Sequence, residues 1–351
     1  MNNARFRRLA RLALLALAPA ALAACDNPND PKGSTTHLAL IVNSVDNSLT
    51  LADVDGDGAG ARTVGLGSVS ASPVSVAARN GVAVVPEGIY PFATVVDLRS
   101  GTVARSIPLP ANSGATGVAF LNDTVAVVAN SNRNTVSLTN PVRGTAGAEV
   151  AVGVYPQAVV AGTSGGAYVI NGNLVNFSPA GPGSVTVLNA SGQVAGTVAL
   201  SGINPAAGAV SNGKLYVINS GTFNGNNSSL SVVNLSTLQE ERVVGGFGNF
   251  PGAIAVGADG NVYVGVYGSG IVVWDPNTRT FVRSIGNPII PGEVPVSALG
   301  FDYQGRMHTA NPGDCSSAGK SYRLVATAYD RVVPTGVCPF AIAFAELPSV
   351  N

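Results

Sequence analysis

Asp53, Asp55 and Asp57 stand at alternate positions, with Gly58 at the sixth place of the run. Hard oxygen donors at that spacing are what a calcium loop supplies. The twelfth position, where an EF-hand places a bidentate carboxylate, is Val64, and the ninth, where another type of calcium loop wants an acid, is Ala61. The Asp-Gly pairs are also common hairpin turns. The segment therefore reads either as a calcium site on Asp53, Asp55 and Asp57 or as a plain strand connection. Residues 313–321 imitate a phosphate-binding loop but put five residues between the glycines where four are needed, with no helix N-terminus to meet a phosphate. His37 and His308 lack the spacing of a metal pair. Glu87 with Asn130, Asn171 and Asn219 offers one carboxylate and three amides, a weak set for a divalent cation. The same asparagines would serve equally as turn caps. No catalytic constellation emerges, and no cofactor beyond calcium is implied.

The elements that hold these residues are strands. At 11% charged residues, with 43 glycines and few Lys, Glu or Met, the chain is rich in alternating Val, Thr, Ala and Tyr, which points to an all-β domain with tight turns. One pattern recurs: Leu40-Ile41-Val42-Asn43, Val127-Val128-Ala129-Asn130, Tyr168-Val169-Ile170-Asn171, Tyr216-Val217-Ile218-Asn219, Tyr263-Val264-Gly265-Val266 and His308-Thr309-Ala310-Asn311. A period of about 41 to 49 residues marks a repeat whose units bury their apolar faces on one another. Seven inner-strand starts, opening at Pro73, Thr116, Pro156, Pro205, Pro251, Pro295 and Pro339, imply seven units of four strands. The first unit, from His37 to Leu66, has room for three strands, and its missing inner strand is residues 340–345 at the other terminus. The expected fold is a seven-bladed β-propeller over 37–347, closed by the C-terminal strand completing blade 1, with 348–351 as a tail.

The Tyr-Val-x-Asn strand, a polar turn and a second strand such as Ser184-Val185-Thr186-Val187-Leu188 resemble the YVTN-type seven-bladed propellers of bacterial surface and periplasmic proteins. That resemblance implies the fold; the same architecture hosts sugar-lactone hydrolases, quinoprotein oxidoreductases and interaction platforms. Blade 2, with Glu87 where the others carry Asn, and blade 6, with Val266, depart from the pattern.

The N-terminus supplies an address. Arg5, Arg7, Arg8 and Arg11 precede an apolar run from Leu12 to Ala24, too short for a hydrocarbon core that takes ~20 helical residues to cross. Residues 1–24 read as a secretory signal peptide ending in Leu22-Ala23-Ala24-Cys25, which resembles the bacterial lipobox. The resemblance implies cleavage before Cys25 and diacylation of its thiol. Residues 25–36, polar and with two prolines, read as a flexible tether. The expected location is outside the cytoplasm, lipid-anchored to a membrane and facing the periplasm or the surface. Losing the leader leaves 15 basic against 19 acidic residues, which argues against nucleic acid as a partner. In an oxidising compartment Cys315 and Cys338, on connections that emerge at one face of blade 7, are placed for a disulfide; two buried free thiols are the alternative.

The residues that open the inner strands, Val74, Thr116, Gln157, Ala206, Gly252, Val296 and Phe340, include no carboxylate, histidine or lysine. Blades 4 and 5 carry the longest loops between second and third strands, 171–183 and 219–229, dense in Asn, Gly and Ser. Phe177, Phe223, Asn224 and Asn226 lie on those loops, and Tyr155, Phe250 and Tyr267 should emerge on the same side. Polar loops with isolated aromatic anchors suit recognition of a protein or glycan of the cell envelope. The expected function is a monomeric binding or scaffolding module without chemistry of its own. A metal-dependent hydrolase of the sugar-lactone type is the alternative.

Overall fold

Blade 6 illustrates how the residues make the unit. Pro251–Val256, Val262–Val266, Gly270–Asp275 and Thr280–Arg283 pair antiparallel in that order. Proline opens the inner strand, where a missing N–H is harmless. The Asp259-Gly260 turn follows, with Gly260 at φ 80° and Asp259 Oδ1 accepting the Asn261 N–H at 3.1 Å. The middle strands are apolar on both faces, and Val262, Val264, Val266, Ile271 and Val272 are fully buried. A sheet packed between two others requires that pattern.

The computed structural model describes residues 35–67, 70–223 and 225–347, which form seven four-stranded antiparallel sheets in a ring. This is the expected seven-bladed β-propeller. The expected signal peptide over 1–24, Cys25, Asn224 and the expected tail 348–351 lie outside the described residues. Blade 1 is closed as the sequence predicted. Pro339–Leu347 is its inner strand, paired with Thr36–Asn43 from Thr36↔Leu347 to Asn43↔Pro339. Apolar clusters fill the seams from blades 1 and 2 round to blades 6 and 7. Toward the axis the inner strands are small-residued because they converge: a Cβ on Gly117 of blade 3 would come within 2.6 Å of Ala158 Cα in blade 4.

Two inner strands start later than their prolines suggested. In blade 2 the strand is Ala77–Arg79, and in blade 7 it is Ala298–Phe301. The cause in blade 7 is a competing partner: Val296 N–H donates to the Tyr267 carbonyl of blade 6. In blade 2, Gly88 at the end of the second strand exchanges both backbone hydrogen bonds with Ala115 of blade 3. In each case a backbone group near the face serves a neighbouring blade instead of its own.

Candidate functional site

Connections from each outer strand to the next inner strand, and the turns between second and third strands, emerge at one face of the ring. A motif not picked out above recurs there: Gly153-Val154-Tyr155-Pro156, Gly202-Ile203-Asn204-Pro205, Gly248-Asn249-Phe250-Pro251 and Gly336-Val337-Cys338-Pro339. The residue before each proline has positive φ, at 53° for Tyr155, 55° for Asn204, 56° for Phe250 and 61° for Cys338. L-residues adopt that conformation at a cost of ~1–2 kcal/mol. The glycine is required where the connector crosses the next blade: a Cβ on Gly202 would lie 2.1 Å from the Asn219 side chain, and one on Gly153 would lie 2.6 Å from Asn171.

Side chains then staple blade to blade at the same level. Thr116 Oγ1 donates to Pro156 O at 2.9 Å, Gln157 Nε2 to Pro205 O at 2.9 Å, Ser220 Oγ to Pro251 O at 2.7 Å and Ser297 Oγ to Pro339 O at 2.7 Å.

This framework surrounds a recess of about 480 Å3 whose apolar lining is Leu174, Phe223, Phe250, Tyr267, Val296 and Phe340. It adjoins the mouth of the axial channel, a second space of about 580 Å3 between the inner strands. All seven channel-mouth residues predicted from the sequence line one or both spaces. Phe223 is 47% exposed, Phe250 51%, Tyr267 38% and Phe340 40%, so the rings face solvent rather than a core. Phe223 and Phe250 lie near-parallel with centroids 6.5 Å apart. Beside them Tyr155 meets Phe177 edge-on at 6.0 Å. Phe177, 70% exposed, stands at φ 61° in the turn of a small hairpin, Leu174–Val175 with Ser178–Pro179, where Asn176 also has positive φ. A two-residue turn with both central φ positive matches strand twist. In the blade 5 loop, Asn227 Oδ1 accepts both the N–H and the hydroxyl of Thr222, and Asn226 is exposed. Leu174 completes the recess unannounced by the sequence, where it reads as one apolar residue of a polar loop.

Cys315 and Cys338 form the disulfide, with Cα atoms 4.5 Å apart, tying the second-to-third turn of blade 7 to the start of the closing strand beside Phe340. The asparagines at second-strand ends do not gather around the channel. Asn43, Asn130, Asn171 and Asn219 are buried, and each Nδ2 donates to two hydroxyls of its own third strand: Ser48 and Thr50, Thr135 and Ser137, Ser184 and Thr186, Ser229 and Ser231. Glu87 takes the asparagine position in blade 2 and is fully buried. Burial pushes its carboxyl up to about 7, against the lowering effect of Thr94 and Asn47.

The acidic loop takes part in the seam between blades 7 and 1. Asp55 receives Tyr303 Oη at 2.9 Å, Gln304 Nε2 at 3.0 Å and Arg306 Nη2 at 3.0 Å. Burial raises the Asp55 carboxyl, but these bonds and His37 outweigh it and hold it below the ordinary range. The Val54 carbonyl accepts from Arg306, Arg323 and Arg331 at 2.9–3.0 Å. Asp53 and Asp57 each accept a backbone N–H two residues on. The three carboxylates are not brought together, and no group of three or more His, Cys, Asp or Glu suited to a metal ion occurs among the described residues. His308 is buried with Nε2 3.0 Å from Asp302 Oδ2. Burial opposes the charge on Asp302, yet bonds from His308 and Arg306 hold its carboxyl well below the usual range.

No family profile matches the sequence, and no curated protein is significantly similar to it. Solved structures share the fold. A protein of unknown function from Desulfotomaculum acetoxidans superposes with a TM-score of 0.66 at 14% identity, over 88% of this chain and 98% of the other. Hydrazine synthase from Kuenenia stuttgartiensis gives 0.61 at 13% identity, over 79% and 96%. Streptogramin B lyase gives 0.59 at 15% identity, over 78% and 89%. At these identities the likeness is one of architecture alone.

Proposed function

We propose that this chain is a YVTN-type, exported lipoprotein whose propeller binds a protein or glycan ligand of the cell envelope as a monomer, through the aromatic recess. The observation that carries the reading is the recess itself, where solvent-facing rings converge from different blades on a rigid frame. Isolated aromatic anchors around a concavity are what hot spots are made of. The lining contains no carboxylate, histidine, lysine or arginine, the groups an acid, base or metal mechanism would recruit. Anchoring fits the same picture. Thr36 and Leu347 pair at the rim opposite the aromatic face, so an acylated Cys25 ahead of Thr36 would leave the recess directed away from the membrane.

The test is recovery of cross-linked partners from cells making the full chain or a version with residues 220–228 shortened to a tight turn. Partners retained by the shortened protein at undiminished yield would refute the placement of the site. Stoichiometric divalent metal in the purified wild type, lost in Glu87→Gln, would favour the hydrolase instead.

A further inference from the structure

Resting on that reading of the recess, we propose that its ligand is an uncharged, apolar segment of a protein partner, held by large side chains set among Phe223, Phe250, Tyr267 and Phe340. The first ground is that Gln157 Nε2 and the hydroxyls of Ser220 and Ser297, polar groups of the lining, are already committed. Gln157 donates to Asn204 Oδ1 and Pro205 O, Ser220 to Pro251 O, and Ser297 to Ala310 O and Pro339 O. These bonds hold the blades together. A sugar is recognised by polar groups matched to its hydroxyls, and taking these would unpin the frame.

The second ground is charge. Ion pairs on this face neutralise themselves: Glu293 lies 2.8 Å from Lys320, and Arg133 2.7 Å from Glu149. Asp46 and Asp314, the exposed carboxylates of this face in no ion pair among the described residues, accept from their own surroundings, Asp46 from Ser48 Oγ at 2.8 Å and Val337 N at 3.0 Å and Asp314 from Ser316 N at 2.9 Å and Oγ at 2.7 Å, and neither lines the recess. A charged ligand would find no unspent counter-charge in the lining, whereas an apolar one finds more of its own kind. Val45, Ile89, Val154, Val175, Ile290 and Val294 on the surrounding loops are each 42–67% exposed. The acidic and basic groups of the Asp55, Asp302 and Arg306 seam lie at the opposite rim.

The neutral, apolar lining therefore selects an uncharged occupant.

The test uses the full chain in its producing cells with Tyr267→p-benzoylphenylalanine as the photo-cross-linking probe and Thr278→p-benzoylphenylalanine, at the opposite rim, as control. We expect a protein adduct specific to position 267, with the cross-linked partner peptide free of charged residues. Its yield should change less than about twofold on raising salt to ~1 M, where charge-based recognition is screened out. It should fall at least about tenfold in the Phe223→Ser, Phe250→Ser background, the loss expected for two central aromatic anchors. Both serines replace exposed rings, and an unchanged melting temperature verifies the fold. Adducts to a glycan, a lipid or a second copy of the chain, a charged partner peptide, or salt-sensitive yield would overturn this inference while leaving a binding recess. Absence of any adduct specific to 267 would overturn both.

Discussion

Replacing Asn219 with valine, leaving Ser229 and Ser231 in place, should destabilise the propeller by about 2–4 kcal/mol. Asn219 is fully buried and its Nδ2 donates to Ser229 Oγ at 3.1 Å and Ser231 Oγ at 2.8 Å. Each hydroxyl left without its donor costs ~1–3 kcal/mol, and removal of the amide oxygen, which has no partner, offsets part of the sum. Blade 6 carries the compensated arrangement: Val266, Gly270 and Val272 occupy the same three register positions and are all buried. The triple variant Asn219→Val, Ser229→Gly, Ser231→Val transfers that arrangement. It should return to within about 1 kcal/mol of wild type, allowing for the entropy of the added glycine. Urea titration of wild type, Asn219→Val, the pair Ser229→Gly with Ser231→Val, and the triple variant gives the coupling, expected at about 2 kcal/mol. With an unfolding entropy of ~2.1 cal/mol/K per residue, the single variant should melt about 3–6 °C below wild type. A triple variant no more stable than the single one, or a silent single variant, would show that the amide and its two hydroxyls are not one energetic unit.

Opening the disulfide by Cys315→Ala with Cys338→Ala removes a cross-link of sequence separation 23, worth about 3.4 kcal/mol by loop entropy. The melting temperature should fall about 5 °C, and reductant should lower the wild type alone. Glu87 has its folded pKa raised to about 7 from 4.5, so wild-type stability is greatest below pH 4.5 on this account and declines as pH rises through 7, by about 3 kcal/mol. In Glu87→Gln that decline should vanish, making the variant more stable than wild type at pH 8; parallel pH profiles would refute it. Asp302→Asn leaves Arg306 short of a buried counter-charge and His308 short of its carboxylate partner, and should cost about 3 kcal/mol. Asp55→Asn, at a site 37% exposed, should cost less than about 1 kcal/mol once screening is allowed for. Excess calcium should leave the melting temperature of both proteins where EDTA leaves it, and a calcium-dependent rise abolished in Asp55→Asn would restore the calcium reading.

The amino-acid sequence by itself determined the blade count, the closing strand, the placement of Cys315 opposite Cys338 and the side on which Tyr155, Phe177, Phe223, Phe250 and Tyr267 emerge. Those features follow from alternation along a strand, from turn residues and from the up-and-down path of a four-stranded unit, all of which are local or repeat at a fixed period. Only the tertiary structure decided what each side chain meets. Asn219 reads the same whether it faces a channel or two hydroxyls two residues apart. The Asp53–Asp57 run looks like a cation site until Arg306, Arg323 and Arg331, more than 250 residues further along, arrive at the Val54 carbonyl and at Asp55. The left-handed residues before Pro156, Pro205, Pro251 and Pro339 are likewise set by the crossing of one blade over the next, because non-glycine residues hold that conformation only where packing outweighs its local cost. Partner choice among polar groups is settled by proximity in the closed ring, and that proximity exists only once all seven blades are in place.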